Sequence, residues 1–304
     1  METQIADSVA ATLTAAPTIQ PTTAPSETPP PATATPESTV TATVRSTRPV
    51  PTALAPVSTT FPDSNYVLDN EQTIGEYAVR VWRNLNSPDD GLGFDRILTL
   101  DQTGSPSLAV EFYSGFDPLS GTDITADGVP ELIVMTYTGG AHCCSGVTVF
   151  SLGDTPTKIL ETRPSNCGGQ FQDLDGDGVL EFVTCDDIFA YTYCPYAASP
   201  LAQVVLAYAP DTGYVPASPR FADRSAADLP TLTAQAEAAT PGGLGEWDNT
   251  TKCGVLPLVL FLLYSGQPEQ AWSELARVYT YPDAATFRQE IEQTAVTSQL
   301  FTLP

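Results

Sequence analysis

A nine-residue acidic pattern occurs twice in this chain. It runs Asp123-Ile124-Thr125-Ala126-Asp127-Gly128-Val129-Pro130-Glu131 and then, 50 residues on, Asp173-Leu174-Asp175-Gly176-Asp177-Gly178-Val179-Leu180-Glu181. Each copy leads directly into an apolar run. Oxygen-bearing side chains at alternate positions, a glycine able to take a sharp turn and a further carboxylate are what a short loop needs to wrap one hard cation. Calcium is the expected cofactor. Magnesium is disfavoured, because it seldom accepts a cage made of protein oxygens alone.

In the second copy Asp173, Asp175 and Asp177 stand at positions 1, 3 and 5, Val179 offers a main-chain carbonyl at position 7, and Glu181 stands at 9. An EF-hand would need its bidentate glutamate at position 12, which is Thr184 inside an apolar segment. The site is therefore expected at a loop-to-strand junction. Four clustered carboxylates without a cation would repel one another and raise their pKa values. The bland alternative is a solvated acidic turn. The first copy keeps the positions with Asp123, Thr125, Asp127, the carbonyl of Val129 and Glu131, but its Thr125 is neutral. Weaker binding is expected there, with a hydrogen-bonded Asp/Thr turn as the alternative.

The repeat continues beyond the loops: at the same offset Leu132, Ile133, Val134 and Met135 map onto Phe182, Val183, Thr184 and Cys185, and Cys144 onto Cys194. Period-two or continuous apolar runs predict strands at 96–100, 107–113, 131–137, 147–152, 158–162, 180–185 and 203–208. The segment 71–82 reads as a short helix or a strand, and 95–115 as a degenerate earlier unit. Beyond about Ala222 the spacing becomes helical, predicting helices over 225–239, 256–263, 268–279 and 284–294. The run 256–263 is too apolar to be solvated and is expected to be buried. It is also too short to cross a bilayer.

Composition separates the first 60 residues from the rest. They hold 10 Pro and 16 Thr but no aromatic residue and no cysteine, so burial cannot offset their ordering entropy, and a disordered Thr/Pro-rich spacer is expected. The domain reading is a spacer at 1–60, a β repeat region at 61–222 and a helical region at 223–304. Residues from Phe61 onward carry 32 of the 36 acidic and 10 of the 12 basic groups, a net charge of about −22. With no cluster of Lys or Arg to neutralise phosphates, this argues against nucleic acid and anionic membranes as partners.

Six cysteines, none in a CxxC pair, suit disulfides better than a zinc site or buried free thiols. Fifteen complete pairings are possible, among which the repeat symmetry makes Cys144 with Cys194 attractive. The opening Met1-Glu2-Thr3-Gln4 shows no basic segment followed by an apolar one. Either the protein is cytoplasmic or the chain starts downstream of an export signal; the spacer and the cysteines favour the second. His142-Cys143-Cys144 suggests a tight structural turn before it suggests a nucleophile or soft-metal site. Asp186 and Asp187 are conceivable acid and base partners, and the aromatics of 189–196 either line a groove or pack between strands. No GxSxG, HExxH or phosphate-binding glycine loop is present.

The strings DITADGVPELIV (123–134) and DLDGDGVLEFVT (173–184) resemble the calcium loops of FG-GAP/VCBS-type repeats, the units of integrin-like β-propellers and of many bacterial surface proteins. That resemblance implies calcium held by Asp173, Asp175, Asp177, the carbonyl of Val179 and Glu181, with Glu181 in place of the more usual final Asp. YTGGAHCCS (137–145) and FAYTYCPYAASP (189–200) also resemble a set of bacterial proteins with such repeats, and the Thr/Pro-rich spacer resembles those of lipoproteins or exported proteins of Chloroflexi-like bacteria. The resulting expectation is a mainly β fold of two or three antiparallel propeller-like units capped by C-terminal helices. Functionally, the expectation is a non-catalytic, calcium-stabilised, secreted or surface-tethered module for adhesion or for binding a protein or carbohydrate ligand. An extracellular hydrolase or carbohydrate-processing enzyme is the alternative.

Overall fold

The computed structural model describes residues 62–87, 96–102, 105–140, 143–239 and 250–302. All of them belong to one compact unit, Pro49–Pro304. The expected spacer at 1–60 lies outside the described residues, as does His142.

Among the described residues, twelve strands form three separate four-stranded sheets, each a simple antiparallel meander in chain order. The first sheet holds β1 (Tyr66–Ile74), β2 (Tyr77–Asn84), β3 (Arg96–Gln102) and β4 (Ser105–Glu111). The second holds β5 (Tyr113–Phe116), β6 (Glu131–Tyr137), β7 (Ser145–Leu152) and β8 (Pro156–Glu161). The third holds β9 (Gln170–Gln172), β10 (Glu181–Asp186), β11 (Ala202–Ala209) and β12 (Gly213–Pro216). After α1 (Ala222–Ser225) come α2 (Leu229–Glu237), α3 (Thr250–Tyr264), α4 (Pro268–Val278) and α5 (Ala284–Ala295).

This arrangement corrects the propeller expectation. The three sheets are open, and among the described residues their edge strands do not pair with one another to close a ring. The fold is mixed, with small antiparallel sheets and a short C-terminal helical bundle. The earlier unit is a complete sheet that starts at Tyr66, not a remnant over 95–115. Residues 71–82 are strand, folded into a hairpin in which Ile74 pairs with Tyr77.

Two apolar clusters organise the unit. The inner faces of the first sheet, including Val79, Leu98 and Leu100, pack with Leu132, Val134 and Phe150 of the second. A larger cluster joins Ile133 and Val149 of the second sheet, Phe182 and Val204 of the third, and the helices. At its centre is α3, whose Val255, Leu256, Leu258, Val259 and Leu262 are completely buried. A helix apolar on every side must be enclosed, and α2 and α4 pack directly against it. By contrast α4 and α5 are one-sided, burying Ala271 with Leu275 and Phe287 with Ile291.

All six cysteines are paired, as Cys143–Cys144, Cys167–Cys185 and Cys194–Cys253. The pairing of Cys144 with Cys194 suggested by the repeat is not formed. Cys144 closes the β6–β7 hairpin against its own neighbour, whereas Cys194 reaches α3. Disulfides persist in oxidising compartments and are rare in the cytosol, so three of them indicate a non-cytoplasmic protein. Among the described residues, no helix is long and apolar enough to cross a membrane.

Candidate metal centres

The two acidic loops occupy the same place in successive sheets: one connects β5 to β6 and the other β9 to β10. Their internal hydrogen bonding also repeats. Gly128 N donates to Asp123 Oδ2 at 2.7 Å and Gly178 N to Asp173 Oδ2 at 3.2 Å. Val129 N donates to Asp127 Oδ1 at 3.0 Å and Val179 N to Asp177 Oδ1 at 2.8 Å. Ile124 N donates to Glu131 Oε2, and Leu174 N to Glu181 Oε2, each at 2.8 Å. Gly128 and Gly178 share φ values of 88° and 87°, a left-handed turn open to glycine at little cost.

Each loop folds around a buried glutamate. Glu131 and Glu181, the first residues of β6 and β10, are 0% and 1% exposed. In the first loop, carboxylate oxygens of Asp123, Asp127 and Glu131 lie within 4.8 Å of one another. The Thr125 hydroxyl sits inside the same group, 3.4 Å from Glu131 Oε1 and 3.5 Å from Asp123 Oδ1. In the second, the group is Asp173, Asp175 and Asp177, all exposed, and the predicted ligand Glu181 is not part of it. Both groups can in principle coordinate a metal ion. Val129 and Val179 enter the observed hydrogen bonds through their amides.

The loops differ in what neutralises them. Burial, reinforced by Asp127 and Asp123, pushes the Glu131 carboxyl up to about 7. The Arg220 guanidinium, which contacts Asp175, holds that carboxyl below its ordinary value. Arg220 Nη2 also lies 3.9 Å from Glu181 Oε1. Burial raises Glu181 too, against the opposing effects of the Leu174 amide and Arg220. Arg224 donates to Leu174 O, and Tyr214 OH donates to Leu180 O at 2.9 Å. These three residues follow the repeat, and no spacing in the sequence marks them as loop partners.

The loops are also bonded to each other. Leu180 N donates to Ile124 O at 2.9 Å. Because Ile124 N is itself held by Glu131, a line of hydrogen bonds runs from one buried glutamate to the residue preceding the other.

The raised pKa gives a signed pH dependence for the metal-free protein. Between the ordinary carboxyl value of 4.5 and about 7, the folded state holds a proton on Glu131 that the unfolded state has released. Stability therefore falls as pH rises through that window, by about 3 kcal/mol for a shift of this size in a fully buried group. Chemical denaturation of metal-free protein at pH 5 and pH 8 should show the loss, and Glu131→Gln should abolish most of it. An equal pH dependence in that variant would remove Glu131 as its source.

The other sequence candidates have structural partners. Asp186, 1% exposed, accepts from Tyr264 OH at 2.7 Å, from Ser298 Oγ and from Ile188 N at 3.0 Å. Asp187 accepts from Arg163 and, at 3.1 Å, from Asn166 N. This network fastens the C-terminal segment to the end of β10. Phe189 and Tyr193 are buried, and Tyr193 OH donates to Glu290 at 2.8 Å. Tyr191 is exposed and its ring lies 5.3 Å from that of Tyr196. A groove of about 390 Å³ between β11, α2 and α3 is lined by Leu201, Leu232, Pro257, Leu260 and Phe261, with Asp228 as its charged residue and no carboxylate pair.

No family model matches the chain, and no solved structure matches it. With the open sheets, this overturns the resemblance to FG-GAP/VCBS repeats. Two curated proteins are similar over part of their length. One, an uncharacterized protein of Sinorhizobium fredii, is 34% identical over 77 residues, 25% of this chain and 12% of that protein. The other, from Synechocystis and described as a probable thylakoid lumen protein, is 37% identical over 82 residues, 26% of this chain and 24% of that protein. The Chloroflexi likeness is not what these relatives reflect. The chain spans less than a quarter of the length of each.

Proposed function

We propose that this chain is a calcium-stabilised, non-catalytic module that works outside the cytoplasm, at the cell envelope or beyond it, and presents its sheets for adhesion or ligand binding. The observation that carries the calcium part is the duplicated buried glutamate. Glu131 is wholly enclosed, and the charged groups that act on it, Asp127 and Asp123, are also acidic. A hard divalent cation supplies the missing positive charge, and a cage of carboxylate, hydroxyl and carbonyl oxygens suits calcium better than magnesium. In the first loop the ion would join the acidic turn to Glu131, the first residue of the following strand. The lumenal description of the Synechocystis relative supports export, as do the three disulfides.

Isothermal titration of calcium, magnesium and zinc into demetallated protein tests this reading. Calcium should bind at two sites and magnesium at least about tenfold more weakly. No heat and no thermal shift with any divalent ion would sink it.

Arg220 separates the two sites. Its guanidinium takes the place beside Asp175 that a second-loop cation would need, so Arg220→Gln should tighten calcium there by roughly tenfold while lowering the metal-free melting temperature. Asp175→Ala should weaken binding more than Thr125→Ala, because it removes a charged ligand. Titration of the three variants side by side decides the order.

A further inference from the structure

The Cys143–Cys144 disulfide plays no part in the metal sites and joins adjacent residues, with Cα atoms 3.6 Å apart. We propose that it is a reversible redox site: a dithiol reductant opens it, the end of the β6–β7 hairpin changes conformation, and the rest of the fold stays intact.

Three observations lead there. First, a bridge between neighbours closes no chain loop, so it removes almost no entropy from the unfolded state. The other two bridges span 18 and 59 residues and tie separate segments together. Second, the surroundings are built for this bond. Cys144 sits at φ 111°, and Gly139 and Gly140 at 86° and 130°, conformations disfavoured for a residue with a side chain. A Cβ on Gly140 would lie 2.8 Å from Cys144 Sγ and 3.2 Å from Cys143 Sγ, so the bare glycine backbone lies directly against both sulfurs. Third, the two residues are inequivalent: Cys143 is exposed and Cys144 is fully buried. An incoming thiolate reaches Cys143, and Cys144 is the leaving sulfur.

The exchange balances with a dithiol protein or small molecule as reductant. Its thiolate attacks Cys143 Sγ, forming a mixed disulfide and breaking the Cys143–Cys144 bond, and the Cys144 thiolate takes up a proton. The second thiol of the reductant then attacks its own mixed-disulfide sulfur, releasing Cys143 as a thiol and leaving the reductant as a cyclic disulfide. Two electrons and two protons pass to the protein. Re-oxidation is the reverse exchange, in which a disulfide-bearing oxidant takes up the two electrons and two protons, and it needs no refolding because the two thiols remain neighbours. Once reduced, Cys144 is free to leave its positive φ. Its carbonyl, which accepts from Thr138 N at 2.9 Å, then moves with it, loosening the end of the hairpin beyond the Tyr137–Ser145 pair.

Stepwise titration of the full chain with dithiothreitol, followed by alkylation and peptide mass mapping, tests the first half. Label is expected at Cys143 and Cys144 at a reductant activity at least about tenfold below that which opens the other bridges. Simultaneous or earlier opening of Cys167–Cys185 or Cys194–Cys253 would overturn the proposal. Amide hydrogen exchange tests the second half: Thr138 should exchange at least about tenfold faster after selective reduction, with β10 and α3 unchanged. Unchanged exchange at Thr138 would make the bond inert and end the idea. The Cys143→Ser/Cys144→Ser variant should reproduce the reduced pattern at an unaltered melting temperature. An oxidised-like pattern in that variant counts against the switch; if it does not fold, the bond's contribution to stability is not negligible and the proposal also fails.

Discussion

Stripping divalent cations from the protein is expected to lower its melting temperature by roughly 10–20 °C. An ion bound only by the folded state stabilises it by about 2.7 kcal/mol when its free concentration is 100 times the dissociation constant. Two such sites contribute about 5 kcal/mol, and each kcal/mol corresponds to about 2–4 °C for a folded part of this size. The geometry argues that the effect will be cooperative. Leu180 N is bonded to Ile124 O, so loosening the first loop loosens the residue before Glu181. A calorimetric scan with calcium, with chelator and with calcium restored, at one ionic strength, measures the effect. An unchanged transition, with metal removal verified by elemental analysis, would leave the loops as acidic turns stabilised by their own amides and by Arg220. The shift should also be larger at pH 8 than at pH 5, because at the lower pH the Glu131 carboxyl holds a proton and its repulsion is already relieved.

How much of this was legible beforehand depended on whether the deciding interaction was local. Strands β6, β7, β10 and β11 are written in the sequence because their apolar runs pack at the interior between layers. The segment 71–82 was ambiguous because it joins the end of β1, whose side chains mostly face solvent, to the alternating start of β2 across a turn. β5, β9 and β12 have four, three and four residues, too few for any period to emerge. The acidic loops were found by position, and six of their hydrogen bonds match pairwise, because a turn of nine residues is governed by its own glycines and carboxylates. Ring closure is different. It depends on how whole sheets pack, and a loop motif carries no information about that. Arg220 and Tyr214 approach the second loop from β12 and the segment just after it, a tertiary relation without a spacing rule. The cysteines illustrate the same limit. An offset of 50 matched Cys144 with Cys194, but beyond β6 and β10 the two units diverge, one into a tight hairpin and the other into the long connection that carries Cys194 to α3.

That last bridge should be the most valuable covalent link in the molecule. Cys194–Cys253 spans 59 residues with a Cα separation of 5.3 Å, and closing a loop of that length removes unfolded-state entropy worth about 4 kcal/mol. It also anchors a helix that is weak where it starts. The first half of α3 contains Gly254 and, in its interior, Pro257. Relative to alanine, these cost roughly 1 and 3 kcal/mol in a helix, and the proline ring leaves the Cys253 carbonyl without its helical donor. Burial of Val255, Leu256, Leu258 and Val259 opposes that cost, and the disulfide fixes the turn from which the buried face is presented. Cys194→Ala/Cys253→Ala is therefore expected to lose about 4 kcal/mol in chemical denaturation, with amide exchange accelerating first in α3 and in α2 and α4, which pack on it. The Cys143→Ser/Cys144→Ser variant serves as the control, with little loss expected since no chain loop is opened. A loss below about 1 kcal/mol at Cys194–Cys253 would mean that the apolar contacts alone hold α3 in place, and that the bridge adds nothing beyond the roughly 1 kcal/mol of an ordinary surface contact.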